Sequence, residues 1–170
     1  EKIFILPNNK NVILTAQQIQ SLTDKRIEVV LTETIPQGIA ALLAFGYEAD
    51  FEANAQLMGE AKSRVRTIEI THATRSAQIA SLNIKKNQVI GLLDGELLMA
   101  GDEPLHVLNK MLAELNLKSM EIITIYYGAD TSADEAEWVS AGIREQHPRL
   151  QIEIVRGDQP HSNYIVSIEA

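Results

Sequence analysis

The sequence predicts an α/β protein, α+β overall: a parallel Rossmann-like βαβα portion over residues 1–64, then a mixed α/β portion over residues 65–170. Three observations predict it. Short β-branched runs alternate with helical stripes at the start and the end of the chain, the order that builds parallel strands through right-handed crossovers. Near Val65 the texture changes to a two-residue alternation followed by a hairpin signal at Asp94-Gly95. Finally, 170 residues with 45% hydrophobic content suffice for a core without disulfide or metal.

Ile3 to Leu6 is a short apolar run closed by Pro7-Asn8-Asn9, which reads as a buried strand and a turn. Val12, Ala16 and Ile19 recur at helical spacing, with Asn8 or Asn9 able to cap the helix start. Arg26 to Leu31 reads as a second strand, and Thr34-Ile35-Pro36-Gln37-Gly38 leads into a dense apolar run, Ile39 to Phe45, expected as a well-buried helix. Pro36 suits the first helical position and Thr34 a cap. Phe51 to Arg64 reads as a surface helix capped by Asp50.

In the second portion, Ile68, Ile70 and His72 alternate with Thr67, Glu69 and Thr71 as a half-buried strand. Residues 79–84, Val89 to Leu93 and Glu96 to Met99 read as further short strands of an antiparallel meander. Leu105, Leu108, Met111, Leu112 and Leu115 form one helical stripe. Glu121 to Tyr127 is a buried strand, and Ser132 with Glu135 forms a capping box for a helix that His147-Pro148 stops. Leu150 to Ile154 and Asn163 to Ile168 are the closing strands.

Composition excludes several functions. There is no cysteine, which removes thiol catalysis, disulfides and cysteine-ligated metals and suits a cytoplasmic setting. The net charge of −8 and the three Phe, four Tyr and one Trp argue against a nucleic-acid partner. The longest apolar stretch falls far short of the ~20 residues of a membrane span. Because Glu1 to Leu6 reads as a strand already under way, the chain is expected to be a piece of something longer, lacking N-terminal strands.

The most pointed polar feature is the strand-end loop of Asn8, Asn9, Lys10 and Asn11. Ligands of open α/β sheets bind beyond the carboxyl ends of the strands, where three amides and a lysine at a helix start suit an anionic group. Helix capping alone also accounts for the Asn residues. Thr34, Gln37 and Gly38 follow the next parallel strand and are expected at the same edge of the sheet. Of four scattered His, only His161, in a loop after Gln159-Pro160, is a candidate for function. No His, Asp or Glu spacing suggests a metal, and no glycine-rich phosphate loop or nucleophile elbow is present, so no catalytic residue is assigned.

Taken together, the segments resemble a known family. Ile5-Leu6-Pro7-Asn8-Asn9-Lys10-Asn11 and Thr34 through Phe45 are similar to the C-terminal region of dihydroxyacetone-kinase-related proteins of the YloV type, the ATP-binding component of bacterial fatty-acid kinase. The resemblance continues through Ile84-Lys85-Lys86, Ile90 to Gly95, Tyr127-Gly128 and Gly157-Asp158-Gln159-Pro160, so it spans nearly the whole chain in order. In this last motif Asp158 stands where the family tends to carry a second Gly, and His161-Ser162-Asn163 stand where aromatic residues are usual.

The resemblance implies a DegV-like layout and a division of labour. ATP and magnesium belong to a separate N-terminal kinase domain, and no cofactor is expected in this fragment. A DegV-type fatty-acid-binding protein presents the carboxylate for phosphorylation, and the C-terminal region docks it; homo-oligomerisation is left open. Asn8, Asn9, Lys10, Asn11, Thr34, Gln37, Gly38 and His161 are then the candidate partner- or ligand-binding residues. A rival reading is a module of the same fold that itself binds a fatty acid or another anion. An independent hydrolase is the least supported, for want of a nucleophile–base pair.

Overall fold

The computed structural model describes residues 1–79 and 81–170, and divides the chain into two compact units, Glu1–Arg66 and Thr67–Ala170. In the first unit, β1 (Lys2–Ile5) and β2 (Arg26–Val29) pair in parallel, with Ile3 opposite Ile27 and Ile5 opposite Val29. Helix α1 (Lys10–Ile19), extended by a short 3-10 turn over Gln20–Leu22, connects them. Helices α2 (Ile35–Leu43) and α3 (Phe51–Ser63) follow, and Asp50 caps α3 by accepting the Ala53 N–H at 2.8 Å. The core here is thin: Val30, Ala41 and Met58 are buried, with Phe4, Leu6 and Phe45 packed on them.

Two expectations about burial in this unit fail. The apolar run Ile39 to Phe45 does not make a well-buried helix: α2 starts earlier, at Ile35, and exposes Leu42 (64%) and Leu43 (81%), with only Pro36 and Ala41 buried. Along α1 only Ala16 is buried, while Val12 and Ile19 are exposed. The helical period is right in both cases; the covering surface is what the pattern presumed.

The second unit is built on a six-stranded sheet of order β7-β6-β3-β10-β8-β9. Its strands are β3 (Val65–His72, entering from the first unit), β6 (Val89–Leu93), β7 (Glu96–Gly101), β8 (Ile122–Tyr127), β9 (Gln151–Arg156) and β10 (Ser162–Glu169). The β3–β6, β6–β7 and β8–β10 pairs are antiparallel, and β8–β9 is parallel across helix α5 (Ala133–Gln146). Helix α4 (Pro104–Glu114) and α5 bury Val107, Leu108, Met111, Val139 and Ile143 against Ile68, Ile70, Ile123, Ile125 and Val166. The β6–β7 turn is the expected one: Asp94 and Gly95 have φ of 50° and 81°, as a two-residue hairpin requires.

The single strand expected over 79–84 is instead a small hairpin of β4 (Ala77–Ile79) and β5 (Leu82–Ile84), paired antiparallel, and Ala80 lies outside the described residues. His72, expected on the buried side of its strand, is exposed at the end of β3. The capping box at α5 is made from one side: Ser132 accepts the Glu135 N–H at 3.2 Å, while the Glu135 carboxylate accepts the Tyr164 hydroxyl at 2.7 Å.

Candidate functional site

Because β1 and β2 run parallel, both end at one edge of the sheet, and the turns that follow them meet there. The Val30 N–H donates to the Ile5 carbonyl at 3.0 Å, continuing the ladder one step past β2. Fully buried Thr32 then donates its hydroxyl to the carbonyl of Pro7, itself buried, joining the second turn to the first.

Each turn opens a helix. Asn9, extended at φ −154° and ψ 131°, caps α1 by accepting the Asn11 N–H at 2.8 Å. Thr34, also extended, caps α2 by accepting the Gln37 N–H at 3.3 Å, and the Gln37 side chain accepts the Glu33 N–H at 2.8 Å. Asn9, Thr34 and Gln37 thus shape the turns through local bonds. Asn8, Lys10 and Asn11 are exposed beside them. Neither helix carries an acidic residue in its first turn, so the partial positive charge of both starts is uncompensated there. Gly38 lies in the first turn of α2, and a Cβ built on it meets nothing within 4 Å. The arrangement offers amides, one ammonium and two helix starts, a set suited to holding a carboxylate or phosphate or a protein surface that presents one.

His161 belongs to the second unit. It is exposed, with φ of 70°, and its carbonyl accepts the Thr71 hydroxyl at 2.8 Å. Next to it the Ser162 hydroxyl donates to Glu69 at 2.6 Å, and the Gln159 amide donates to the Tyr126 carbonyl at 2.9 Å. These bonds fix the entry to β10.

Sequence reasoning missed Thr32, the residue that ties the turns together; a threonine just after a strand carries no signal of its own. It also missed an open groove of about 520 Å³ in the second unit, lined by Gln88, Asp102, Glu103, His106 and Lys110. A second hollow beside it shares Gln88 and Asp102 and adds His72, Lys85 and Lys86. The adjacent lysines were the available signal. Among the described residues no three His, Asp or Glu side chains group to hold a metal ion, and no helix is long and apolar enough to cross a membrane.

Residues 1–169 match the family model of the FakA-like C-terminal domain of fatty acid kinase. Protein YloV of Bacillus subtilis is 37% identical over 169 residues, which are 99% of this chain and 31% of that protein. The chain therefore spans about a third of the length of such relatives. Among solved structures, a DegV family protein from Corynebacterium glutamicum superposes with a TM-score of 0.66 at 13% identity, over 98% of this chain and 74% of its own. The fatty acid kinase B3 protein of Streptococcus pneumoniae, solved with linoleic acid, superposes with a TM-score of 0.61 at 13% identity, over 98% of this chain and 71% of its own. At such identities the two superpositions establish a shared fold and nothing about ligands.

Proposed function

The chain belongs to the FakA-like C-terminal family of fatty acid kinase, and from that premise we propose that it is a non-catalytic docking domain. Its partner is a DegV-type fatty-acid-binding protein, which it holds so that the acyl carboxylate meets a kinase site elsewhere, where ATP and magnesium bind. The reaction is acyl phosphate formation, in the cytoplasm. Such a domain acts by orientation: fixing the carrier replaces a bimolecular encounter with a positioned one.

The observation that carries this reading is the bond from Thr32 to Pro7, which makes one surface of the turns Asn8–Asn11 and Thr34–Gly38. Local capping accounts for Asn9, Thr34 and Gln37 but gives no work to exposed Asn8 and Asn11. The Lys10 ammonium beside the exposed amides of Asn8 and Asn11 gives a carboxylate on a partner face a defined contact. Titration calorimetry between the chain and a DegV-type fatty-acid-binding protein tests it. We expect saturable binding that weakens about tenfold in Lys10→Glu, as loss of a well-placed charge contact does; heat of dilution alone contradicts it.

The two polar turns, each at a helix start, also support a second reading, in which the module itself binds a fatty-acid carboxylate or another anion. A thermal shift separates the two: a bound fatty acid raises the unfolding midpoint of the isolated chain as its concentration rises, whereas a docking domain does not respond.

A further inference from the structure

Helix α5 has two unlike faces. Ala136, Val139, Ser140 and Ile143 turn into the core. The helical period leaves Asp134, Trp138, Ala141 and Glu145 exposed in one stripe on the other side, each three or four residues from the next. Trp138, the single tryptophan of the sequence, is 67% exposed in the middle of that stripe. Beside it α4 and α5 leave a groove of about 330 Å³, walled by Leu105 and Asn109 on α4 and by Trp138, Gly142 and Glu145 on α5.

Two features of this groove have no use within the chain. Glycine weakens a helix interior, yet Gly142 stands inside α5 where an added Cβ meets nothing within 4 Å, so no close packing demands it. Its missing side chain keeps the floor of the groove open. The carboxylates of Asp134, Glu137 and Glu145 enter no ion pair among the described residues, and no described residue lining the groove is basic. Asp134 lies about 6 Å along the helix axis from Trp138, and Glu145 about 10 Å the other way, at 1.5 Å per residue. An open indole face with carboxylates on both sides along one helix attracts cations that carry apolar stems.

We propose that this groove binds a basic segment of a partner protein. An arginine of that segment stacks on Trp138 and pairs with Asp134, an aliphatic side chain seats over Gly142 against Leu105, and a second cation meets Glu145. Arginine suits the place better than lysine, because its flat guanidinium stacks on an aromatic face and bonds a carboxylate at the same time. A second copy of the chain is the poorer occupant: a twofold axis at Ala141 sets Glu137 of one copy against Glu145 of the other. The groove shares no residue with the turns Asn8–Asn11 and Thr34–Gly38, so peptide binding here and docking there succeed or fail separately.

Because the chain has one indole, Trp138 emission reports on the groove directly. Fluorescence titration with a capped hexapeptide alternating arginine and leucine, and with its glutamate–leucine counterpart, tests the proposal. We expect a saturable change with the arginine peptide alone, weakened about tenfold when Asp134→Asn and Glu145→Gln are combined. Gly142→Leu fills the floor of the groove with a good helix former, so it keeps the unfolding midpoint while weakening the arginine peptide about tenfold. The absence of a saturable change, an equal response to the two peptides, or undiminished binding by Gly142→Leu overturns the proposal. So does Trp138 emission that shifts with protein concentration before any peptide is added, the signature of a second copy in the groove.

Discussion

Thr32 has no accessible surface, and its hydroxyl bonds the Pro7 carbonyl across the two turns, with a longer contact of 3.3 Å to the Val30 carbonyl. Thr32→Val keeps the shape and orphans that carbonyl, so we expect a loss of about 1–3 kcal/mol in denaturant unfolding, with weaker partner binding because the turns separate. Gly38 gives the opposite sign. Nothing crowds a Cβ there, so Gly38→Ala stabilises the helix by roughly 0.5–1 kcal/mol, while the added methyl stands on the proposed docking surface and lowers affinity. Tyr164 sets an alkaline limit. Burial first, and then its hydrogen bond to Glu135, raise its pKa far above the ordinary 10.0. The folded state therefore holds the phenol proton more tightly than the unfolded state. That stabilisation is complete below pH 10 and drains away as pH climbs above it, because the unfolded chain ionises first. Unfolding midpoints measured from pH 8 to 11 fall at the alkaline end, and Tyr164→Phe flattens the fall.

At the scale of elements, the close approach of Gly128 to the β10 entry is the strictest packing in the second unit. A Cβ at Gly128 stands 2.1 Å from the Ser162 carbonyl oxygen, a backbone atom that cannot swing aside, so Gly128→Ala costs upwards of about 3 kcal/mol by thermal unfolding. The helix starts at Asn9, Thr34, Asp50 and Ser132 were legible because their caps are local chemistry, written within four residues. So was the Asp94-Gly95 turn, which needs two positive φ angles. What misled was context. The run Ile39 to Phe45 is apolar enough for a buried helix, yet Leu42 and Leu43 find no surface to cover them, and no helical period encodes the presence of a neighbour. The hairpin of β4 and β5 was hidden because residues 79–84 contain no glycine or proline to mark a reversal. Among the candidate site residues, parallel strand order was enough to bring two turns to one edge. It could not show that three of the side chains are spent on capping, nor that His161 belongs to a different unit.

For the whole molecule, fold and function separate cleanly. The DegV-like layout is shared with a protein solved with a fatty acid, whereas family membership assigns this chain to the FakA-like side of fatty acid kinase. The task we propose for the chain is therefore one of orientation, carried by the turns that Thr32 joins. The most direct measurement is calorimetric titration of the chain with a DegV-type fatty-acid-binding protein, repeated with Lys10→Glu and with a control in the second unit, Lys118→Glu. We predict one-to-one binding that falls about tenfold in the first variant and is unchanged in the second, as a localised charge contact requires. Binding that is absent, or equally strong in both variants, contradicts the docking role.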